Sequence, residues 1–223
     1  METNRIAAVL AATDIFGVLG QQSLLQLAER AQYRRVPKGQ TIFVQDERGD
    51  SLYVLAEGQV KIVVRSMQGE VVELARIWPP TVFGHVAPLD GQPRTAGAET
   101  AEASLLIWIH RDDLTPLFRR DQAFQDSILR SLCGLVRRAD QQAADRFFLP
   151  LKARVAKKLL ELVPPEGSRD PELTQVELAR MVGSTRQSVN GIVREFERRG
   201  FLHVADRHFQ ILKPTELRRL SQE

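Results

Sequence analysis

With 223 residues, 43% apolar and 26% charged, the chain has material for real hydrophobic cores and for two modest domains. Its single cysteine, Cys133, excludes an intramolecular disulfide and any cysteine cage for zinc or an iron–sulfur cluster. The net charge of +3 is uneven: from Pro150 onward 14 Lys and Arg face 10 Asp and Glu, and before it 17 face 18, so positive charge gathers where a nucleic-acid partner would want it.

The apolar run at 6–12 is soon interrupted by Asp14 and has no cleavage site, so a cytoplasmic protein without a membrane partner is expected. Residues 1–32 have helical spacing, with Ile6, Val9 and Leu10, then Leu24, Leu25, Leu27 and Ala28. From 34 to 110 the pattern changes to short apolar runs punctuated by Gly39, Gly49, Gly58, Gly69 and Gly91. Strands are expected at 41–44, 51–55, 60–65, 71–77 and 104–109, an all-β sandwich or barrel.

Helix returns from 112 to 148. Ile128, Leu132, Leu135, Ala139 and Gln142, with a parallel row of Leu129, Val136 and Ala143, make a wide apolar stripe that Ser131 and Gln142 dilute. The stripe suits a seam between the helices of two subunits, and it can also pack on the β domain. Cys133 within it reads as a small apolar filler. Pro150 ends this helix as a hinge, a second amphipathic helix is expected at 152–163, and 164–167 is a loop.

The stretch 173–200, LTQVELARMVGSTRQSVNGIVREFERRG, holds the most information. Thr174 and Glu177 form a capping box opening a short helix with Val176, Leu178, Ala179 and Met181. Gly183 supplies a tight turn, and either Ser184 or Thr185 caps a second helix; with Ser184 as cap, Gln187 would be its box partner. Val189, Ile192, Val193 and Phe196 form one buried stripe, which leaves Arg186, Gln187, Asn190 and Arg194 on the opposite face. Such side chains hydrogen-bond base edges and phosphates in a major groove, so double-stranded DNA is the expected partner. A hairpin at 201–204 and 209–212 follows as a wing, with Arg207 at its tip placed to meet a phosphate.

Taken in order, these elements resemble the CRP/FNR superfamily of transcription regulators over nearly the whole chain. RRVPKGQTIFVQDERGDSLYVLAEGQVKIVV is similar to the start of that family's cyclic-nucleotide-binding β-roll, VFGHVAPLDGQPRTAGAET to its phosphate-binding cassette, and 173–200 to its DNA-reading unit. The resemblance implies an α+β fold: an N-terminal double-stranded β-helix (jelly-roll) effector domain at 1–115, a dimerisation helix at 116–149 and a winged helix-turn-helix at 150–223. It further implies a homodimer reading a two-fold symmetric operator, with a cyclic nucleotide such as cAMP as effector. Activation of transcription would also require a surface for RNA polymerase.

Residue by residue, Arg94 and Thr95 match the family's phosphate-binding pair, and Gly84 matches the glycine that admits backbone to the ribose. His85 stands where cyclic-nucleotide binders have Glu, and an imidazole has less acceptor capacity than a carboxylate. Ala139 and Asp140 stand where cAMP-dependent relatives place Thr and Ser beside the purine. The alternatives are a cyclic dinucleotide held by Arg65, Arg76 and Arg94, and ligand-independent DNA binding with Arg94 bound to a local carboxylate. Haem would use the His85 loop, but no cysteine adjoins it. Arg186 keeps a guanine-reading arginine, Gln187 suits adenine, and Gly191 replaces a second base-reading arginine of the cAMP-responsive relative. An enzyme built on His85, His110 or Cys133 has no support: no nucleophile elbow, phosphate loop or metal-ligand spacing is present.

Overall fold

The computed structural model describes residues 3–162, 172–205 and 208–222, and the chain divides into two compact units, Met1–Val136 and Arg137–Glu223. The first unit opens with helices α1 (Thr3–Ala11) and α2 (Gln21–Arg30). Eight strands follow: β1 (Gln32–Val36), β2 (Thr41–Phe43), β3 (Ser51–Glu57), β4 (Val60–Arg65), β5 (Val71–Ile77), β6 (Thr81–Phe83), β7 (Gly97–Thr100) and β8 (Ser104–His110). A short helix, α3 (Val86–Asp90), lies between β6 and β7. The strands form two antiparallel four-stranded sheets, ordered β1-β8-β3-β6 and β2-β7-β4-β5, which is the expected roll.

Strand alternation sorts side chains between two cores. On β3 and β8, Leu52, Val54, Ile107 and Ile109 point toward the helices and pack with Leu10 and Phe16. Leu55 and Leu106 point into the roll and meet Phe43, Val60 and Phe83, with Tyr53 and Trp108 against them.

Beyond β8 the expected single helix is broken. Helix α4 (Arg111–Arg120) ends at Asp121, whose backbone is extended, and α5 (Gln122–Phe148) begins anew. The Asp121 carboxylate accepts the Phe124 amide hydrogen at 2.9 Å, satisfying a donor the helix start would otherwise leave open. Phe124 and Ile128 of α5 are buried in the helical core of the first unit and Leu132 packs against it. Leu129 and Val136 are 61% and 60% exposed. Ile128 and Leu132 thus serve the monomer, whereas Leu135 of the same row and Leu129 and Val136 of the other face solvent.

The second unit contains the end of α5, then α6 (Leu151–Glu161), α7 (Gln175–Val182), α8 (Arg186–Arg198), the hairpin β9 (Leu202–Ala205) and β10 (His208–Ile211), and α9 (Pro214–Leu220). Pro150 precedes α6 in an extended conformation, where its missing amide hydrogen costs no helical bond. Val155, Leu159, Leu178, Val193, Phe196 and Leu217 share one core. The expected loop at 164–167 lies outside the described residues, as does Val163 at the end of the expected 152–163 helix. No helix among the described residues is long and apolar enough to cross a membrane.

Candidate effector cassette and DNA interface

Arg94 lies at the centre of the cassette and is 3% exposed. Its main chain is clasped by the β2–β3 loop: the Asp46 amide donates to the Arg94 carbonyl at 2.9 Å, and the Arg94 amide to the Glu47 carbonyl at 2.8 Å. One terminal nitrogen of the guanidinium donates to the Gly84 carbonyl and the other to the Ser51 carbonyl, the latter at 2.7 Å. The guanidinium lies 4.3 Å from the Phe43 ring centroid and 5.6 Å from that of Tyr53. Its Nε is buried and has no hydrogen-bond acceptor.

Two glycines make room for this cation. Gly84 has φ +69°, and a Cβ there would come within 3.1 Å of both the guanidinium and Phe43. A Cβ on Gly49 would overlap the guanidinium itself. Gly49 read in the sequence only as turn punctuation, because nothing local reveals what approaches it.

Among the described residues no carboxylate lies within ion-pair distance of Arg94, so the local carboxylate envisaged for a ligand-free loop is replaced by main-chain carbonyls. Carbonyls supply dipoles and leave the guanidinium without a directly paired carboxylate. Burial pulls the Arg94 pKa below its ordinary value, partly offset by Tyr53, Glu47 and Asp50. Burial likewise raises the Tyr53 phenol, with Arg94 acting in the opposite sense. Pairing of Tyr53 with Phe83 on β6 and with Trp108 on β8 aligns the rings, and Phe43 stacks on Tyr53 at 5.4 Å.

The remaining cassette residues are placed differently. Thr95 is exposed and Gly84 half-buried. His85 is 5% exposed at the start of α3, and its Nε2 is hydrogen-bonded to Ser131 Oγ of α5 at 3.2 Å. Ser131 thus has a partner on the cassette, where the sequence suggested only a diluted seam. Asp140 is exposed on α5, in the second unit. Arg65 pairs with Glu99, and Arg76 makes a buried bidentate pair with Glu73 at 2.8 and 2.9 Å. Both cations already have carboxylate partners of their own.

The helix pair of the second unit is locked by its caps. Thr174 Oγ1 accepts from the Glu177 amide at 3.1 Å, and the Glu177 carboxylate accepts from the Thr174 amide at 2.7 Å. Gly183 closes α7 at φ +65°, the left-handed conformation of the turn. Thr185, rather than Ser184, caps α8: its hydroxyl accepts from the Ser188 amide at 3.2 Å and pairs with Ser188 Oγ at 2.9 Å. Gln187 is therefore not held in a capping box.

Val189, Val193 and Phe196 are fully buried, which turns the other face of α8 outward. Thr185, Arg186, Gln187 and Arg194 are exposed and Asn190 is half-buried. The side chains of Arg186, Gln187, Asn190 and Arg194 have no partner among the described residues. Lys152 bonds to Glu195 at 2.5 Å and holds that carboxyl below its usual pKa, fastening α8 to α6. The Glu197 carboxylate accepts the Val204 amide hydrogen at 3.1 Å, fastening α8 to the wing. Arg207 lies outside the described residues.

The Cyclic nucleotide-binding domain family matches residues 33–121, and the Crp-like helix-turn-helix domain family matches 153–220. A CRP-like cAMP-activated global transcriptional regulator of Mycobacterium tuberculosis is 31% identical over 203 residues, 88% of this chain and 91% of that protein. The chain belongs to the CRP/FNR superfamily of transcription regulators. A cyclic AMP receptor protein of Thermus thermophilus is 28% identical over 173 residues, covering 78% of this chain and 80% of that one. A solved CRP/FNR-family transcriptional regulator, also from Thermus thermophilus, superposes with a TM-score of 0.71 at 26% identity, covering 86% and 99% of the two chains. As a CRP/FNR member the protein is a DNA-binding transcription regulator, with a cyclic-nucleotide-binding domain followed by a winged helix-turn-helix. The Mycobacterium tuberculosis relative is a regulator of transcription rather than an enzyme.

Proposed function

We propose that the protein is a homodimer that reads a two-fold symmetric operator through α8 and takes the phosphate of a cyclic nucleotide on Arg94, acting in the cytoplasm and catalysing no reaction. The organisation proposed is the roll at 1–115, the dimerisation helix at 116–149 and the DNA-binding unit at 150–223. The observation carrying the DNA half is the outward face of α8: Arg186, Gln187, Asn190 and Arg194 have no partner among the described residues, on a helix held by its cap, its core stripe and Lys152. Arg186 is the guanine reader, Gln187 reads adenine, and Thr185, Arg194 and Arg207 serve the backbone. Activation would add RNA polymerase as a partner.

Replacing Arg186 with Ala is expected to cost roughly 1–3 kcal/mol at an operator selected from random duplexes, and to relax preference at one base pair. Equal losses on operator and random duplex, measured by fluorescence anisotropy at fixed salt, would reject the assignment.

A buried guanidinium with one unused N–H and no carboxylate favours an arriving anion, since its desolvation is otherwise only partly offset. The cAMP-activated relative in Mycobacterium tuberculosis supports a cyclic nucleotide as that anion. Specific observations favour a second reading, ligand-independent regulation: His85 replaces the ribose-binding acid and is bonded to Ser131, and Thr95 is turned to solvent. Calorimetric titration of the full chain with cAMP, cGMP and cyclic di-GMP separates the two. Saturable binding that Arg94→Ala abolishes establishes the sensor, whereas no heat from a DNA-binding dimer favours a ligand-independent regulator or an unrelated effector.

A further inference from the structure

A short run of contacts joins the Arg94 guanidinium to helix α5, and all of it lies within the first unit. One terminal nitrogen of Arg94 donates to the Gly84 carbonyl. The next residue, His85, occupies the N-cap position of α3, yet its side chain makes no capping hydrogen bond there. An N-cap side chain ordinarily accepts an amide hydrogen of its own helix. The buried imidazole instead reaches α5, with Nε2 3.2 Å from Ser131 Oγ.

Ser131 departs from habit in the same way. A helical serine commonly turns its hydroxyl to a carbonyl one turn back, and Ser127 does so, donating to the Phe124 carbonyl at 2.7 Å. The Ser131 hydroxyl bonds outside its helix, to the cassette. It sits where α5 is anchored, between buried Ile128 and Leu132 of the helical core, with Leu129 and Val136 exposed beside it. A displacement of residues 84 and 85 therefore either carries Ser131 with it or breaks this bond.

We propose that the His85–Ser131 hydrogen bond transmits anion binding at Arg94 to α5, with Ser131 as the positioning residue on the helix. The inference rests on the reading of Arg94 as the effector-binding arginine. A phosphate oxygen arriving at the guanidinium competes with the Gly84 carbonyl, because a hydrogen bond between two charged groups is stronger than one to a neutral acceptor. Gly84, at φ +69°, has the backbone freedom to absorb the resulting shift. His85 moves with it, and the bond to Ser131 passes the shift into α5, which continues into the second unit as far as Phe148. Such a contact couples two sites only by differing between two arrangements of the protein.

The test uses the full chain, cAMP as the probe, and an operator selected by the wild type from random-sequence duplexes in the presence of cAMP. Operator affinity is measured with and without saturating cAMP, and cAMP affinity by calorimetry. In the wild type, cAMP is expected to change operator affinity by about 5- to 150-fold, and the operator to change cAMP affinity by the same factor. Ser131→Ala is expected to cut that factor about fivefold or more, toward one, while free protein binds cAMP within about threefold of wild type. Ser131→Thr keeps the hydroxyl and is expected to restore the factor. His85→Phe should lower the factor as Ser131→Ala does, and the double variant should lower it no further, since both remove one bond. A smaller reduction in a Ser131→Ala protein that still binds cAMP overturns the proposal. So does a wild type that binds cAMP without any change in operator affinity. Equal loss in Ser131→Thr and Ser131→Ala, or a Ser131→Ala protein that melts several degrees lower, assigns Ser131 to packing and overturns it as well. A wild type that gives no heat with cAMP instead removes the cyclic-nucleotide reading, and this proposal with it.

Discussion

Phe196→Ala should unfold the second unit at a denaturant concentration that leaves the β-roll intact. Phe196 is fully buried beside Phe201, at a ring-centroid distance of 6.1 Å, in the core shared by α6, α7, α8 and α9. Truncating a buried phenylalanine costs about 3–5 kcal/mol, through lost transfer energy and a cavity that its neighbours only partly fill. That is a large share of the stability of a small domain. The two tryptophans supply the readout, because Trp78 and Trp108 both lie in the Met1–Val136 unit. Tryptophan fluorescence therefore follows the roll alone, while far-ultraviolet circular dichroism follows helices of both units. The expected result is an early loss of helical signal, an unshifted fluorescence midpoint and no operator binding. Joint displacement of both midpoints would mean that the two units unfold together, contrary to this expectation.

Substituting Leu129 and Val136 together with Asp should abolish dimerisation and with it high-affinity operator binding. Both side chains are more than half exposed on α5, a helix whose Phe124 and Ile128 are already buried in the helical core of the first unit. Burying an aliphatic side chain contributes about 1.5–3 kcal/mol, and the pair occurs twice in a symmetric interface. Carboxylates placed there would face their own copies across the two-fold axis and would have to be desolvated. Loss of the second half-site contact should weaken operator binding by about 100- to 10,000-fold. Analytical ultracentrifugation supplies the decisive comparison. A variant that still sediments as a dimer, or a monomeric wild type, would remove α5 as the seam. Because neither substitution touches the α8 core, the variant should keep the wild-type circular dichroism spectrum.

The DNA-binding unit was legible in the sequence because its signals are local. The Thr174–Glu177 box, the Gly183 turn and the stripe of Val189, Val193 and Phe196 each act over a few residues, through side chain–backbone bonds or a helical period. The β4–β5 hairpin was readable for the same reason, with bounds of 60–65 and 71–77 matched residue for residue. Strand β1 is not marked in the sequence, since its residues are mostly exposed and show no apolar alternation. What makes it a strand is pairing with β8, some seventy residues away. The break at Asp121 was hidden by apolar residues that continue at helical spacing on both sides, and only the capping bond to Phe124 reveals it.

The cassette divides the same way. Composition and order indicated which residues form it, but where Arg94 points was decided by tertiary contacts. Its guanidinium is held by carbonyls 10 and 43 positions away, beneath a glycine on a third loop and against a ring from β2. The burial of Phe124 and Ile128 on α5, beside an exposed Leu129 and Val136, came likewise from the helices and sheet that pack on it. By itself the sequence determined the order of the elements, the caps and turns of the second unit and the types of residue available for recognition. The fold alone decided how a buried charge is accommodated and which apolar face is left for a partner, because both depend on segments that meet only when the whole chain is packed.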